Sequence, residues 1–263
     1  MKRYIPFVKA DPHVAVIRLQ GGIGTSARAM SDRSLAPSIE KAFRSKPVAV
    51  ALEISSPGGS PVQSSLISAR IRRLAEEKNI PVFSFVEDVA ASGGYWLAVA
   101  GDEIFIDRGS IVGSIGVISA GFGLTGTLDK IGAERRVYTA GESKSMLDPF
   151  QPEKPSDVKR LRGLLDNMHD YFKDHITSRR AGKLDPATDL FTGDIWVGRK
   201  AIELGLADQI GHLVPVMKDR FGDKVTFRRF GQKKPLFSRL GMQIVEDAVA
   251  GLEERAAYAR FGL

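Results

Sequence analysis

Residues Val48–Val86 read VAVALEISSPGGSPVQSSLISARIRRLAEEKNIPVFSFV. The segment opens on a short β-branched apolar run, Val48–Ile54, and breaks at Ser55-Ser56-Pro57-Gly58-Gly59. It resumes over Ser60–Lys78 with Leu66, Ile67, Ile71 and Leu74 at helical spacing, and a second apolar run, Val82–Val86, follows. Near-continuous apolar runs suit strands buried on both faces of a sheet, and the stretch between them is long enough for a crossover helix. The segment therefore predicts a βαβ unit.

Working outward, Val14–Leu19 is another β-branched run, and a Gly93-Gly94 turn leads into the apolar stretch Tyr95–Ala100. Glu103–Ile106, Ile115–Ile118 and Glu134–Tyr138 read as further short strands. Thr139–Pro155 holds three prolines and should be an irregular exposed loop. Ser156 then opens a long helix, with Leu161, Leu164, Leu165, Met168, Phe172 and Ile176 at helical intervals until Ala181-Gly182. Val197–Leu204 and Leu213–Phe221 read as short helices and Lys224–Phe230 as a strand. After the basic linker GQKKP, Leu236–Phe261 reads as a terminal amphipathic helix. Strands alternating with helices predict an α/β fold, a mostly parallel sheet flanked by helices. The expected organisation is one main domain over residues 1–235 and a C-terminal helix over 236–263 that contacts another subunit or a membrane surface.

The chain has 263 residues and is 43% hydrophobic, enough for a sizeable core. It contains no cysteine, which rules out disulfides, thiolate nucleophiles and Cys-ligated metals. No signal peptide or membrane-spanning run is legible, so a soluble chain is expected, cytoplasmic or peripheral at the inner membrane. Lys and Arg number 38 against 31 Asp and Glu, a net charge of +7. These charges are scattered and not interleaved with aromatics, so nucleic acid is set aside as a partner.

The chemistry turns on residues 90–96, AASGGYW, where Ser92 is the one aliphatic hydroxyl. A serine is a poor nucleophile until a neighbouring base takes its proton. Of the histidines, His13, His169, His175 and His212, none has a motif around it, and the elbow G-x-S-x-G is absent. Lys144, in GESKSMLDPF, is a candidate base if Met146, Leu147 and Phe150 desolvate it while Glu142 and Asp148 point away. Glycines at the Ser55–Gly59 corner would let open amides approach a developing oxyanion. Each feature also has a plain reading: an N-cap for Ser92, an exposed loop lysine for Lys144, and a turn for the glycine corner.

Taken together and in order, strand-SSPGGS-helix, AASGGYWLA, GSIGV and GESKS resemble the signal peptide peptidase A family of serine–lysine dyad peptidases, over about Val14 to Val214. The resemblance implies that Ser92 is the nucleophile, that Lys144 is the general base and later protonates the leaving amine, and that Ser114 orients the lysine. It implies an oxyanion hole from the amides of Gly59 and Gly93, with Pro57, Gly58 and Ser60 along the substrate. Ala90 and Ala91 would leave room for that substrate. The implied fold is the Clp protease/crotonase-like spiral of βαβ units, assembled into a homo-oligomeric ring or dome. The implied substrates are unfolded, apolar peptides such as remnant signal peptides, with no metal or organic cofactor. The chain departs from better-known members by showing neither an N-terminal membrane anchor nor a duplicated domain. Two rivals remain at this point. A crotonase-type acyl-CoA enzyme would need a carboxylate near the site, and a non-catalytic scaffold would turn over no denatured protein.

Overall fold

A computed structural model describes residues 11–26, 29–231, 255 and 257–263. In chain order the elements begin with β1 (His13–Gln20), α1 (Asp32–Arg44), β2 (Ala49–Ser56), α2 (Pro61–Lys78), β3 (Val82–Ala91) and α3 (Gly93–Ala98). They continue with β4 (Glu103–Ile106), β5 (Ile111–Gly113), α4 (Thr125–Ile131), α5 (Pro155–Arg179) and β6 (Ile195–Val197). Last come α6 (Arg199–Glu203), β7 (Gln209–Ile210), α7 (Leu213–Phe221) and β8 (Thr226–Phe230). Among the described residues no helix is long and apolar enough to cross a membrane.

The strands form one eight-stranded sheet in the order β6-β5-β3-β2-β1-β8, with β4 pairing β3 and β7. Every pairing is parallel except β5 with β6. β3 forks: Phe83–Val86 pair with β4, while Val89–Ala91 pair with β5. All eight residues of β2 are buried, as its near-continuous apolar run predicts, and the one charge among them, Glu53, pairs with Arg18 at 2.7 Å. One sheet face packs Val14, Val16, Ala51, Phe83, Phe85 and Phe105 against Leu213 and Met217 of α7. On α2, Ile67, Ile71 and Leu74 are buried and Leu66 is exposed.

α1 escaped the sequence reading because Pro37 punctuates it. The signal was present as a capping box between Ser31 and Ser34, with Leu35, Ile39 and Phe43 buried along one face. Two expected strands are corrected. The strand expected at Ile115–Ile118 lies at Ile111–Gly113 and ends where Ser114 takes a φ of +52°, outside the extended region. Glu134–Tyr138 pairs with no strand and carries its charges exposed, so its apolar residues have no face to bury against. The expected helix over Leu236–Phe261 lies outside the described residues up to position 254.

Two compact units emerge, one of Met1–Ile115 with His175–Leu263 and one of Gly116–Asp174. The first contains the whole sheet. In the second, Leu124 N–H donates to the Pro149 carbonyl at 2.6 Å, and Arg135 pairs with Asp148 at 2.9 Å. The apolar stripe of α5 divides along its length. Phe172 and Ile176 are buried, whereas Leu164 and Met168 are exposed.

Candidate active site

In a parallel sheet the loops that bear ligands leave the carboxyl ends of the strands. Here β2 ends at Ser56 before Pro57-Gly58-Gly59-Ser60, β3 ends at Ala91 before Ser92, and β5 ends at Gly113 before Ser114. Register brings these ends to one level, since Ser56 pairs with Ala90 and Ala91 with Gly113. Ser92 N–H donates to the Gly113 carbonyl at 2.8 Å, so Ser92 and Ser114 leave neighbouring strands together.

Ser92 has φ +51° and ψ −121°, a conformation that an L-residue rarely holds. It sits at the N-cap position of α3, yet its side chain makes no cap hydrogen bond, so the plain N-cap reading fails. Ser92 is half-buried, and its hydroxyl makes no hydrogen bond among the described residues of its own unit. Strain of this kind costs about 1–3 kcal/mol. It is outweighed by the aromatic pair that follows, because Tyr95 is 0% and Trp96 2% exposed and each such burial contributes several kcal/mol. Tyr95 also donates to the Leu206 carbonyl at 2.8 Å.

The glycine corner lies against the Ser92 turn. A methyl group built on Gly58 would meet the Ala91 carbonyl oxygen at 2.7 Å and Gly93 N at 2.8 Å. One built on Gly59, where φ is +141°, would lie 2.0 Å from the Ile23 carbonyl oxygen. Both positions thus require glycine. Ile23 binds the corner from the other side, its N–H donating to Gly58 O at 2.9 Å and its carbonyl accepting from Ser60 N at 2.8 Å. Gly58 N–H is taken by the Ser56 hydroxyl at 3.2 Å. What stays open is the Gly59 amide and, at the first position of α3, the Gly93 amide. Neither has an acceptor among the described residues. Ile23 was not foreseen from sequence, although Gly21-Gly22 marked a turn after β1, where Gly21 takes a φ of +93°.

Ser114 is half-buried, and its N–H donates to the Asp194 carbonyl at 2.7 Å. Trp196, on β6, covers Gly113, where a methyl group would come within 2.7 Å of the indole. Ala90 and Ala91 are both 0% exposed, which corrects the expectation that they clear a path for substrate. Ala91 packs instead with Val89 and Ile111 beneath Tyr258 and Phe261.

Lys144 belongs to the second unit and is exposed there. Of the expected apolar wall, Phe150 lies under the Arg135 guanidinium, 4.9 Å from the ring centroid. Asp148 does turn away, accepting from Arg135 and from Phe150 N–H, and the Arg135 bond first and this amide second hold its carboxyl below the usual range. Arg160 of α5 donates to the hydroxyl of Ser143, next to Lys144.

The histidines of the first unit are engaged elsewhere. His13 pairs with Ser45 at 2.9 Å, at the opposite end of β1 from the loops, and His212 faces Asp107 at 3.4 Å. His175 stacks on Trp96, and burial pushes it down to about 4 against hydrogen bonding to the Trp96 main chain, with Arg179 adding to the lowering.

The glycine after Ser92 is under steric control that can be tested. A methyl group on Gly93 would lie 2.4 Å from the Ser64 hydroxyl, while one on Gly94 would lie 2.3 Å from the Ser56 carbonyl. In a helix alanine is otherwise favoured over glycine by about 1 kcal/mol. Gly93→Ala is expected to destabilise by about 1–3 kcal/mol, with much of the loss recovered in Gly93→Ala/Ser64→Ala. Gly94→Ala has no such remedy, because the obstacle is backbone. Urea unfolding of the single and double variants measures this, and no recovery in the double variant would refute the contact.

The family model for peptidase family S49 matches residues 74–220, more than half of the chain. The chain belongs to peptidase family S49. The match contains Ser92, Ser114 and Lys144 and leaves the Gly59 corner outside. A Brucella melitensis protein named Na(+)/H(+) antiporter NhaA is 49% identical over 286 residues, covering 100% of this chain and 39% of that protein. The putative signal peptide peptidase SppA of Enterococcus faecium is 32% identical over 163 residues, covering 62% of this chain and 47% of that one. The chain therefore spans less than half the length of either relative. An alanine mutant of the 1510-N membrane-bound stomatin-specific protease, solved with a substrate peptide, superposes with a TM-score of 0.55 at 16% identity, covering 92% of this chain and 98% of that one. That likeness shows the fold of this S49 chain, the Clp protease/crotonase-like α/β arrangement with its mostly parallel sheet.

Proposed function

We propose that this S49 chain is a serine endopeptidase in which Ser92 attacks the scissile carbonyl and Lys144 is the base. The observation that carries the reading is the convergence of three strand ends, which sets a strained, unbonded serine beside two open glycine amides. The amine of Lys144, acting as base, takes the Ser92 proton as the oxygen–carbon bond forms, and Ser114 orients that amine. The carbonyl oxygen, now negative, accepts from Gly59 and Gly93 N–H, each such donor contributing about 3 kcal/mol to the transition state. Lys144 then gives its proton to the leaving amine, and water cleaves the acyl-enzyme by the same route in reverse.

Unfolded, apolar peptides, remnant signal peptides among them, are the proposed substrates, held as an added strand along Pro57, Gly58 and Ser60. Self-association into a ring or dome is part of the same reading. It is supported by large apolar side chains left exposed on the second unit, with Phe122 at 86% and Tyr138 at 90%. A cytoplasmic site of action, peripheral to the inner membrane, is proposed from the excess of basic residues. The test is incubation of the protein with a denatured and a native form of one substrate protein, followed by mass spectrometry of the products. Cleavage of the denatured form alone is expected, and absence of any product at every pH would refute the reading.

A further inference from the structure

The last turns of α5 hold α3 from outside the catalytic loops. The His175 imidazole lies nearly parallel to the Trp96 indole, with ring centroids 4.4 Å apart and planes 12° apart. One turn on, Arg179 donates from Nε to the Val99 carbonyl at 2.8 Å and from Nη2 to the Gly101 carbonyl at 3.0 Å. These carbonyls lie at the C-terminal end of α3, where a cation is favourable. Arg72 of α2 adds a bond to the Ala100 carbonyl at 3.2 Å and pairs with Asp102 at 2.7 Å.

α3 is six residues long, too short to hold its own shape, so its placement is set by what packs on it. Ser92 precedes its first residue and Gly93 is that residue, so any slip or rotation of α3 carries the hydroxyl and one open amide with it. We infer that His175 is a positioning residue for the nucleophile, its ring fixing the orientation of Trp96 and hence of the Ser92 turn. This inference rests on the serine reading above. Among the described residues Nε2 of His175 is buried without a hydrogen-bond partner, so the imidazole holds Trp96 through its stacked face and its hydrogen bond to the Trp96 main chain. The charged group that acts on it is Arg179 on its own helix, which in turn interacts with Arg72 and Glu76 on α2 and with Asp102 after α3. At neutral pH the imidazole adds no charge to that set.

Two readouts test it: steady-state cleavage of an unfolded substrate, and the rate at which a fluorophosphonate phosphonylates Ser92, the serine oxygen bonding to phosphorus as fluoride leaves. His175→Ala is expected to lower kcat and the labelling rate by about ten- to a hundredfold while KM stays within about twofold, since His175 does not touch substrate. His175→Phe, which keeps a flat ring, should retain about half or more of both, and His175→Gln, which does not, should behave like the alanine variant and serves if alanine fails to fold. A phenylalanine variant as slow as the glutamine variant, or an alanine variant as fast as wild type, would overturn the role alone. Labelling of the wild type at a residue other than Ser92 would overturn the nucleophile assignment and this role together.

Discussion

Ser92→Ala is expected to abolish cleavage of an unfolded substrate, lowering kcat by about a thousandfold or more, while leaving the unfolding midpoint unchanged. The hydroxyl makes no hydrogen bond within its unit, so its removal breaks no structural contact. Glycine sharpens the test. At an ordinary position glycine is less stable than alanine by about 0.5–1 kcal/mol. At Ser92 the φ of +51° strains every residue with a β-carbon, and glycine relieves it. Ser92→Gly should therefore be inactive and at least as stable as Ser92→Ala. Comparing thermal unfolding of the two variants measures this, and a glycine variant clearly less stable than the alanine one would contradict the strained backbone.

Lys144→Met should be equally inactive, with a loss of about a thousandfold or more in kcat. Methionine keeps the length and apolar stem of the side chain and removes the amine. Lys144→Arg separates the two roles a cation could play. A guanidinium keeps the positive charge but cannot give up its proton in the working pH range, so it cannot act as a base. If Lys144 takes the serine proton, arginine will be as dead as methionine; if the residue only attracts charge, arginine will restore turnover. Asp148 is held by Arg135, so neither substitution disturbs a carboxylate pair at Lys144. Arginine activity within tenfold of wild type would sink the base assignment and return attention to the histidines.

How much of this was legible in the sequence follows the range of the interactions involved. The βαβ unit over Val48–Val86 was legible because apolar run length and helical spacing are local, and β2, α2 and β3 lie where those patterns put them. The expected loop over Thr139–Pro155 was legible for the same reason, from proline and turn residues alone. β3, however, runs on to Ala91 and β5 sits at Ile111–Gly113, since both boundaries depend on which strand pairs with which. The apolar residues of Glu134–Tyr138 suggested a strand, but a strand needs a partner and the segment pairs with none among the described residues. Along α5 the stripe is uniform in sequence, while Phe172 and Ile176 find a core and Leu164 and Met168 do not.

By itself the sequence determined the family, the order of its motifs and the chemistry those residue types permit, because each motif is a short run whose backbone demands are written in its glycines and small residues. Only the tertiary structure decided that Ala90 and Ala91 are packing residues, that Ile23 braces the glycine corner, that Ser64 crowds Gly93, and that His175 stacks on Trp96. Those facts depend on register and on contacts between residues far apart in the chain. A one-residue change in the pairing of β3 would turn Ala90 and Ala91 each to the other face of the sheet.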